Sequence, residues 1–203
     1  MTNRVTAAVE RALDDRQRGA TEEVERILAA AVRVMERVAP EAPRVSDIVA
    51  EARSSNKAFY RYFAGKDEVI LAVMERGVGI VVSYLQHQMA KESQPRDKIA
   101  RWIEGTLAQV AEPDLIRKSR AAAGQMSART NWRTGDEDMM RPLRDLLVDP
   151  VAALGSSDVE RDVQAVFCCT AATMRRYMGS ADRPEPDDIT HVVRFCLNGL
   201  GVN

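Results

Sequence analysis

The sequence predicts an all-α protein of about nine helices, a small three-helix N-terminal domain followed by a larger helical C-terminal one. Three observations carry this. Apolar residues recur at i, i+3, i+4 and i+7 along the whole chain, the spacing of one helix face. No segment shows the alternation of a half-buried strand, and there is no internal repeat or low-complexity tract. Proline or glycine ends successive periodic runs, at Pro40, Pro43, Gly65 and Pro113.

Val24, Ile27, Leu28, Ala31, Met35 and Val38 form one apolar stripe, so a first helix is expected, stopped by Pro40 and Pro43. Thr21 is placed to cap it, with Glu22 and Glu23 as first-turn acids suited to the helix dipole. Ahead of it, residues 1–19 read as an arm or an extra helix. Val45, Ile48, Val49 and Ala52 mark a short second helix. Arg53-Ser54 reads as a turn and Ser55 as the cap of a third helix reaching Tyr62. Val69, Ile70, Val73, Met74, Gly77, Ile80, Val81, Tyr84 and Leu85 line a long fourth helix.

Beyond Pro95, a fifth helix carries Ile99, Trp102, Ile103, Thr106, Leu107 and Val110, and a sixth is expected over about 114–126. TNWRTGDED reads as a polar loop and 137–154 as a seventh helix. The last two helices, around VQAVFCCTAATM and DITHVVRFCLNGLG, are apolar nearly all round. A helix of that kind is covered on every side. Pairing both with the same helices of a second copy, as a four-helix bundle, would cover them. The dimer residues expected are Ala165, Cys168, Cys169, Ala172, Val193, Cys196, Leu197 and Leu200.

Composition excludes several classes of function. The 203 residues are 45% apolar and 29% charged with a net charge of −1, so attraction to an anionic partner must be local. Three cysteines, two of them adjacent, suit buried reduced thiols better than a disulfide framework. The N-terminus lacks the apolar core of a signal peptide, and no run approaches the length of a membrane span. A cytoplasmic protein is expected. His87 and His191 are the only histidines, and HExxH, CxxC and GxSxG are absent. AGKDE lacks the upstream glycine and following hydroxyl of a phosphate loop. No enzyme activity, metal or cofactor is expected.

The stretch SSNKAFYRYFAGK, 54–66, is where chemistry concentrates. On a wheel of about 100° per residue, Phe59 and Phe63 fall together on one side. Lys57, Tyr60 and Arg61 fall on the other, with Asn56 flanking them. Between Arg44 and Lys66 there are five basic and two acidic residues, a local balance of +3. Lys and Arg neutralise phosphates, and Asn, Lys and Arg read base edges in the major groove. Two short helices joined by a tight turn, with that face bare, fit the helix-turn-helix plan. A solvated amphipathic helix is the bland alternative.

From Thr21 to Gly77 the chain resembles the DNA-binding domain of the tetracycline-repressor (TetR) family of transcriptional regulators. VERILAAAVRVM, VSDIVAEA, NKAFYRYF and GKDEVILAVMERG carry the resemblance, with Ile48, Tyr60, Phe63 and Lys66 in register. It implies base or phosphate contacts for Asn56 and Lys57, and phosphate contacts for Tyr60, Tyr62 and Lys66. Arg44, Ser55 and Arg61 complete the expected DNA-binding set. The family usually has Gly where Arg53 stands, a small apolar residue at Ser54, and Ser or Thr at Arg44. A left-handed Arg is costly, so a locally altered turn is expected.

The domains implied are 1–19 as arm or extra helix, 20–66 as the helix-turn-helix and 67–203 as an effector-binding and dimerisation domain. The expected function is a regulator, a repressor, that binds a palindromic double-stranded operator as a homodimer. A small apolar or amphipathic effector, unknown from sequence, would release it. Trp102, Met126, Trp132, Met139, Phe167 and Met174 are candidates for its pocket, with ordinary core as the alternative for each. The rival reading is a helical dimer that binds a small molecule or protein without operator-specific DNA binding.

Overall fold

The computed structural model describes residues 4–39, 41–113, 115–116 and 133–201. Among these residues it holds nine helices and no strand. The chain divides into two compact units, Met1–Val73 and Met74–Asn203.

The first unit contains α1 (Arg4–Val38), α2 (Val45–Glu51), α3 (Asn56–Tyr62) and the start of α4 (Lys66–Met89). α1 buries Ile27, Leu28, Ala30, Ala31, Val34 and Met35 and packs on α2, which buries Ile48 and Val49 and packs in turn on α3. Arg33 Nε donates to Glu51 Oε1 at 2.7 Å and Arg37 Nη1 to Glu51 Oε2 at 3.1 Å, tying α1 to α2. Those two bonds, Arg33 foremost, hold the Glu51 carboxyl below its ordinary pKa.

The cap expected at Thr21 is not formed. α1 runs unbroken through Gly19, Ala20 and Thr21, and Thr21 Oγ1 donates to Gln17 O at 2.9 Å. That back-bond belongs to a hydroxyl inside a helix. Glu22 and Glu23 therefore lie mid-helix, away from any positive dipole end. Residues ahead of them are helical from Arg4 onward and largely exposed, Val9 and Leu13 included.

The second unit is organised on α5 (Pro95–Ala111), which packs against α7 (Val148–Ala153), α8 (Val159–Met178) and α9 (Pro186–Gly199). α6 (Arg133–Asp145) leads into α7. Ile99, Trp102, Ile103 and Leu107 of α5 join Leu85, Leu143, Leu147, Val151, Val163, Val166, Val192, Cys196 and Leu197 in one core. Trp102 is 1% exposed, and its Nε1 donates to Leu143 O at 2.9 Å, so the indole is buried with its polar atom satisfied. A Cβ on Gly105 would lie 2.4 Å from Leu85 Cδ2, so the glycine lets α4 and α5 approach.

Three further expectations change. RTGDED, expected as loop, is helical from Arg133, and the single helix expected over 137–154 is two, parted at Leu146 and Leu147. Pro142 has no N–H for the α6 ladder, which weakens it just before the break. Pro150 sits in the first turn of α7, where backbone N–H groups lack helical partners in any case. Along α4, Val69, Ile70, Val73, Met74 and Leu85 are buried as expected, but Ile80 and Tyr84 are exposed. The helix expected over 114–126 falls almost wholly outside the described residues.

Candidate nucleic-acid interface

α3 separates the two sides that the wheel separates. Ala58, Phe59 and Phe63 are buried, with the Phe59 and Phe63 rings 5.6 Å apart. Asn56, Lys57, Tyr60 and Arg61 are exposed. Tyr60 is 57% exposed, although its ring stands edge-on to Phe59 at 5.3 Å. The buried neighbour fixes the phenol's direction while its hydroxyl stays in solvent.

Ser55 caps α3 as expected, its Oγ accepting from Ala58 N at 3.1 Å. Arg44 stands just before α2 with extended backbone, and its guanidinium, a donor with no acceptor to cap the helix, is exposed. Lys66 opens α4 and is exposed. The acids of the same turn, Asp67 and Glu68, already face the positive end of that helix, and Glu68 accepts from Ala64 N. Lys66, rather than the helix end, is the anion-attracting group there.

The α2–α3 turn keeps its ordinary form. Arg53 N donates to Ala50 O at 3.1 Å and Ser54 N to Val49 O at 3.0 Å, the paired bonds of a Schellman ending. The left-handed position falls on Arg53, at φ 50°, the one non-glycine with positive φ among the described residues. The altered turn expected from the sequence does not occur.

Tyr62 differs from the other expected contacts. It is half-buried, and its hydroxyl donates to Glu23 Oε2 at 3.0 Å. Arg61 Nη1 is 3.7 Å from the same oxygen, and Ser54 Oγ donates to Glu23 Oε1 at 3.4 Å. Sequence reasoning missed Glu23 as part of this site because it read the residue as a first-turn acid. The only available signal was a carboxylate four residues, about one helical turn, ahead of the buried Ile27.

Residues 27–73 match the model of the bacterial regulatory proteins of the tetR family. The chain carries a tetR-family domain. With it comes the helix-turn-helix of a DNA-binding transcriptional regulator, here α2, the Arg53 turn and α3.

Solved structures share the fold across nearly all of the chain. The fatty acid degradation regulator FadR from Bacillus halodurans is 18% identical, with a TM-score of 0.72 over 89% of this chain and 97% of its own. FadR from Bacillus subtilis, solved with stearoyl-CoA, is 16% identical with a TM-score of 0.67, covering 87% and 96%. A TetR-family transcriptional regulator from Streptomyces coelicolor is 18% identical with a TM-score of 0.61, covering 94% and 92%. No curated protein matches the chain.

The second unit distributes the remaining expected residues unevenly. Trp102 is core, its ring 6.2 Å from that of half-buried Phe167. Met139 and Met174 are also half-buried, whereas Met126 and Trp132 lie outside the described residues. Of the dimer set, Ala165, Cys168 and Ala172 are exposed on α8, and Cys169, Val193 and Leu200 are half-buried. Cys196 and Leu197 are buried in the chain's own core, because the face of α9 that carries them packs on α5 and α8. Burial, with Cys169 beside it, pushes the Cys196 thiol up to about 12. Phe195, absent from the expected set, is 62% exposed on the same helix.

Among the described residues no group of His, Cys, Asp and Glu is placed to hold a metal, and no helix is long and apolar enough to cross a membrane.

Proposed function

We propose that this chain is a repressor that binds a palindromic operator as a homodimer and is released by a small apolar or amphipathic effector. The observation that carries the reading is the bare face of α3, with Asn56, Lys57, Tyr60 and Arg61 exposed over a buried Phe59–Phe63 base. Asn56 and Lys57, at the start of the helix, are suited to base edges. Tyr60 and Lys66 are suited to phosphates, with Arg44 and Ser55 beside them. The Ser55 oxygen accepts the capping bond, and its hydrogen remains available for a phosphate.

A single module of this size makes few base contacts, so two copies reading half-sites about 34–36 Å apart supply the specificity. The exposed faces of α8 and α9 support a second copy as partner. For the effector, the stearoyl-CoA of the Bacillus subtilis neighbour supports a ligand with a long apolar part. Phe167, whose ring lies 6.2 Å from that of Trp102, and half-buried Met139 and Met174 are the residues we assign to the pocket. α4 is covalently part of both units, so a ligand-induced tilt of it would alter the spacing of the two recognition helices. Coupling of this kind is reciprocal: operator must weaken the effector by the factor that effector weakens operator.

The test is a gel shift with DNA flanking the protein's own gene, at low and near-physiological salt, against non-specific competitor. Specific retardation is expected to survive competition. Lys57→Ala and Tyr60→Phe are expected to weaken it without changing the unfolding midpoint. Binding that falls equally for all sequences as salt rises would favour the rival helical dimer without operator recognition.

A further inference from the structure

Glu23 is a carboxylate on the middle turns of α1, where neither a helix end nor an apolar core explains it. Its side chain is 22% exposed. Both oxygens are engaged, Oε1 from the α2–α3 turn by Ser54 Oγ at 3.4 Å, and Oε2 from α3 by Tyr62 Oη at 3.0 Å with Arg61 Nη1 at 3.7 Å. Ser54 lies just before α3 and Tyr62 is its last residue, so one carboxylate meets both ends of a seven-residue helix. A helix that short does not hold itself in place, and its direction depends on what it packs against. Two hydroxyl donors and a guanidinium around one anionic oxygen pair are also the groups that a backbone phosphate recruits.

We propose that Glu23 is the positioning residue of the DNA interface and an internal stand-in for a phosphate. It aims α3 through Ser54 and Tyr62, and it competes with the duplex for Tyr62 and Arg61. The inference rests on the DNA-binding reading above. Its consequence is selectivity. Arg61 exchanges one anion for another on docking and adds little to sequence-independent affinity. Asn56, Lys57 and Tyr60 keep their full response to the operator.

The experiment separates the charge from the hydrogen bonds. Glu23→Gln keeps an acceptor for Tyr62 and a partner for Ser54 but drops the charge. It is expected to bind every duplex several-fold more tightly at low salt. The log–log salt dependence should steepen by about 0.9 for one more phosphate neutralised. The ratio of operator to non-specific affinity should fall while the unfolding midpoint stays put. Glu23→Ala removes the grip as well, so operator affinity should drop relative to Glu23→Gln and the midpoint should fall. Tyr62→Phe should lower the midpoint in the native chain and leave it unchanged in the Glu23→Ala background, the signature of a shared contact.

An unchanged salt slope in Glu23→Gln overturns the competition. Additive effects of Tyr62→Phe and Glu23→Ala on unfolding overturn the grip. If neither the native chain nor Glu23→Gln retards any duplex at low salt, the DNA-binding reading is wrong and the competition falls with it. The unfolding cycle still decides the grip.

Discussion

Arg53 shows what one residue can bear when its neighbours fix the backbone. A left-handed arginine costs about 1–2 kcal/mol relative to an ordinary helical conformation. The sequence therefore suggested a changed turn, yet the turn is kept. The bonds from Arg53 N and Ser54 N to the end of α2, with Ile48 and Phe59 buried on either side, hold the chain in that path. Replacement by glycine relieves the strain, offset by a loss of about 0.5–1 kcal/mol from glycine's freer unfolded chain. Arg53→Gly should therefore raise the unfolding free energy by about 0.5–1 kcal/mol, read from the shift of a urea transition at unchanged slope. A lower stability would mean that the Arg53 side chain makes contacts worth more than the strain. The Ser55 cap and the burial of Phe59 and Phe63 were legible in the sequence because each depends on residues within one turn. Glu23 was not, because its partners lie 31 and 39 positions away.

At the scale of elements, the helices themselves were legible and their limits were not. The 3.6-residue period survives any context, whereas the start of α1 and the break between α6 and α7 depend on weak local preferences. Gly19 costs only about 1 kcal/mol inside a helix, and α1 passes through it. The side-chain tie between the ends of α8 and α9 was not legible, because it joins two helices across the turn between them. Tyr177 Oη donates to Asp188 Oδ2 at 2.9 Å, joining the last turn of α8 to the first of α9. Asp188 also accepts from Glu185 N at 2.9 Å, and that backbone bond first, then Tyr177, holds its carboxyl below the ordinary range. Burial first, then Asp188, raises the Tyr177 phenol. A depressed carboxyl stabilises above its unfolded pKa and loses that contribution as pH falls through the folded value. A raised phenol stabilises below its unfolded pKa and loses it as pH climbs through the folded value. Tyr177→Phe should thus lower the unfolding midpoint by a roughly constant amount from about pH 5 to 9, with the deficit shrinking below about pH 4. Thermal scans across that range would show it, and a pH-independent deficit would argue for lost packing alone.

At the scale of the whole molecule, the question is what covers α8 and α9. Small residues, Ala165, Cys168 and Ala172, are exposed in the middle of α8, and α9 adds Phe195, a large apolar side chain left in solvent. A two-fold interface makes the same patch meet itself, so a single charge appears twice across it. Ala165→Glu and Phe195→Asp should each give a monomer in sedimentation analysis with unchanged helicity, since neither side chain is buried within the chain. Operator affinity should fall together with the dimer, because each half-site would have to be bound alone. A dimer that persists in both variants would place the interface elsewhere.

The sequence by itself determined the helical class, the order of the short helices around the turn and the two faces of α3, all set by spacing and by neighbours a few residues apart. Only the tertiary structure decided that Arg53 carries the left-handed strain, that Cys196 and Leu197 belong to the chain's own core, and that Glu23 meets Ser54, Arg61 and Tyr62. Those outcomes depend on which side of one helix meets which side of another. That is fixed by packing over long sequence separations, and a periodic pattern does not encode it.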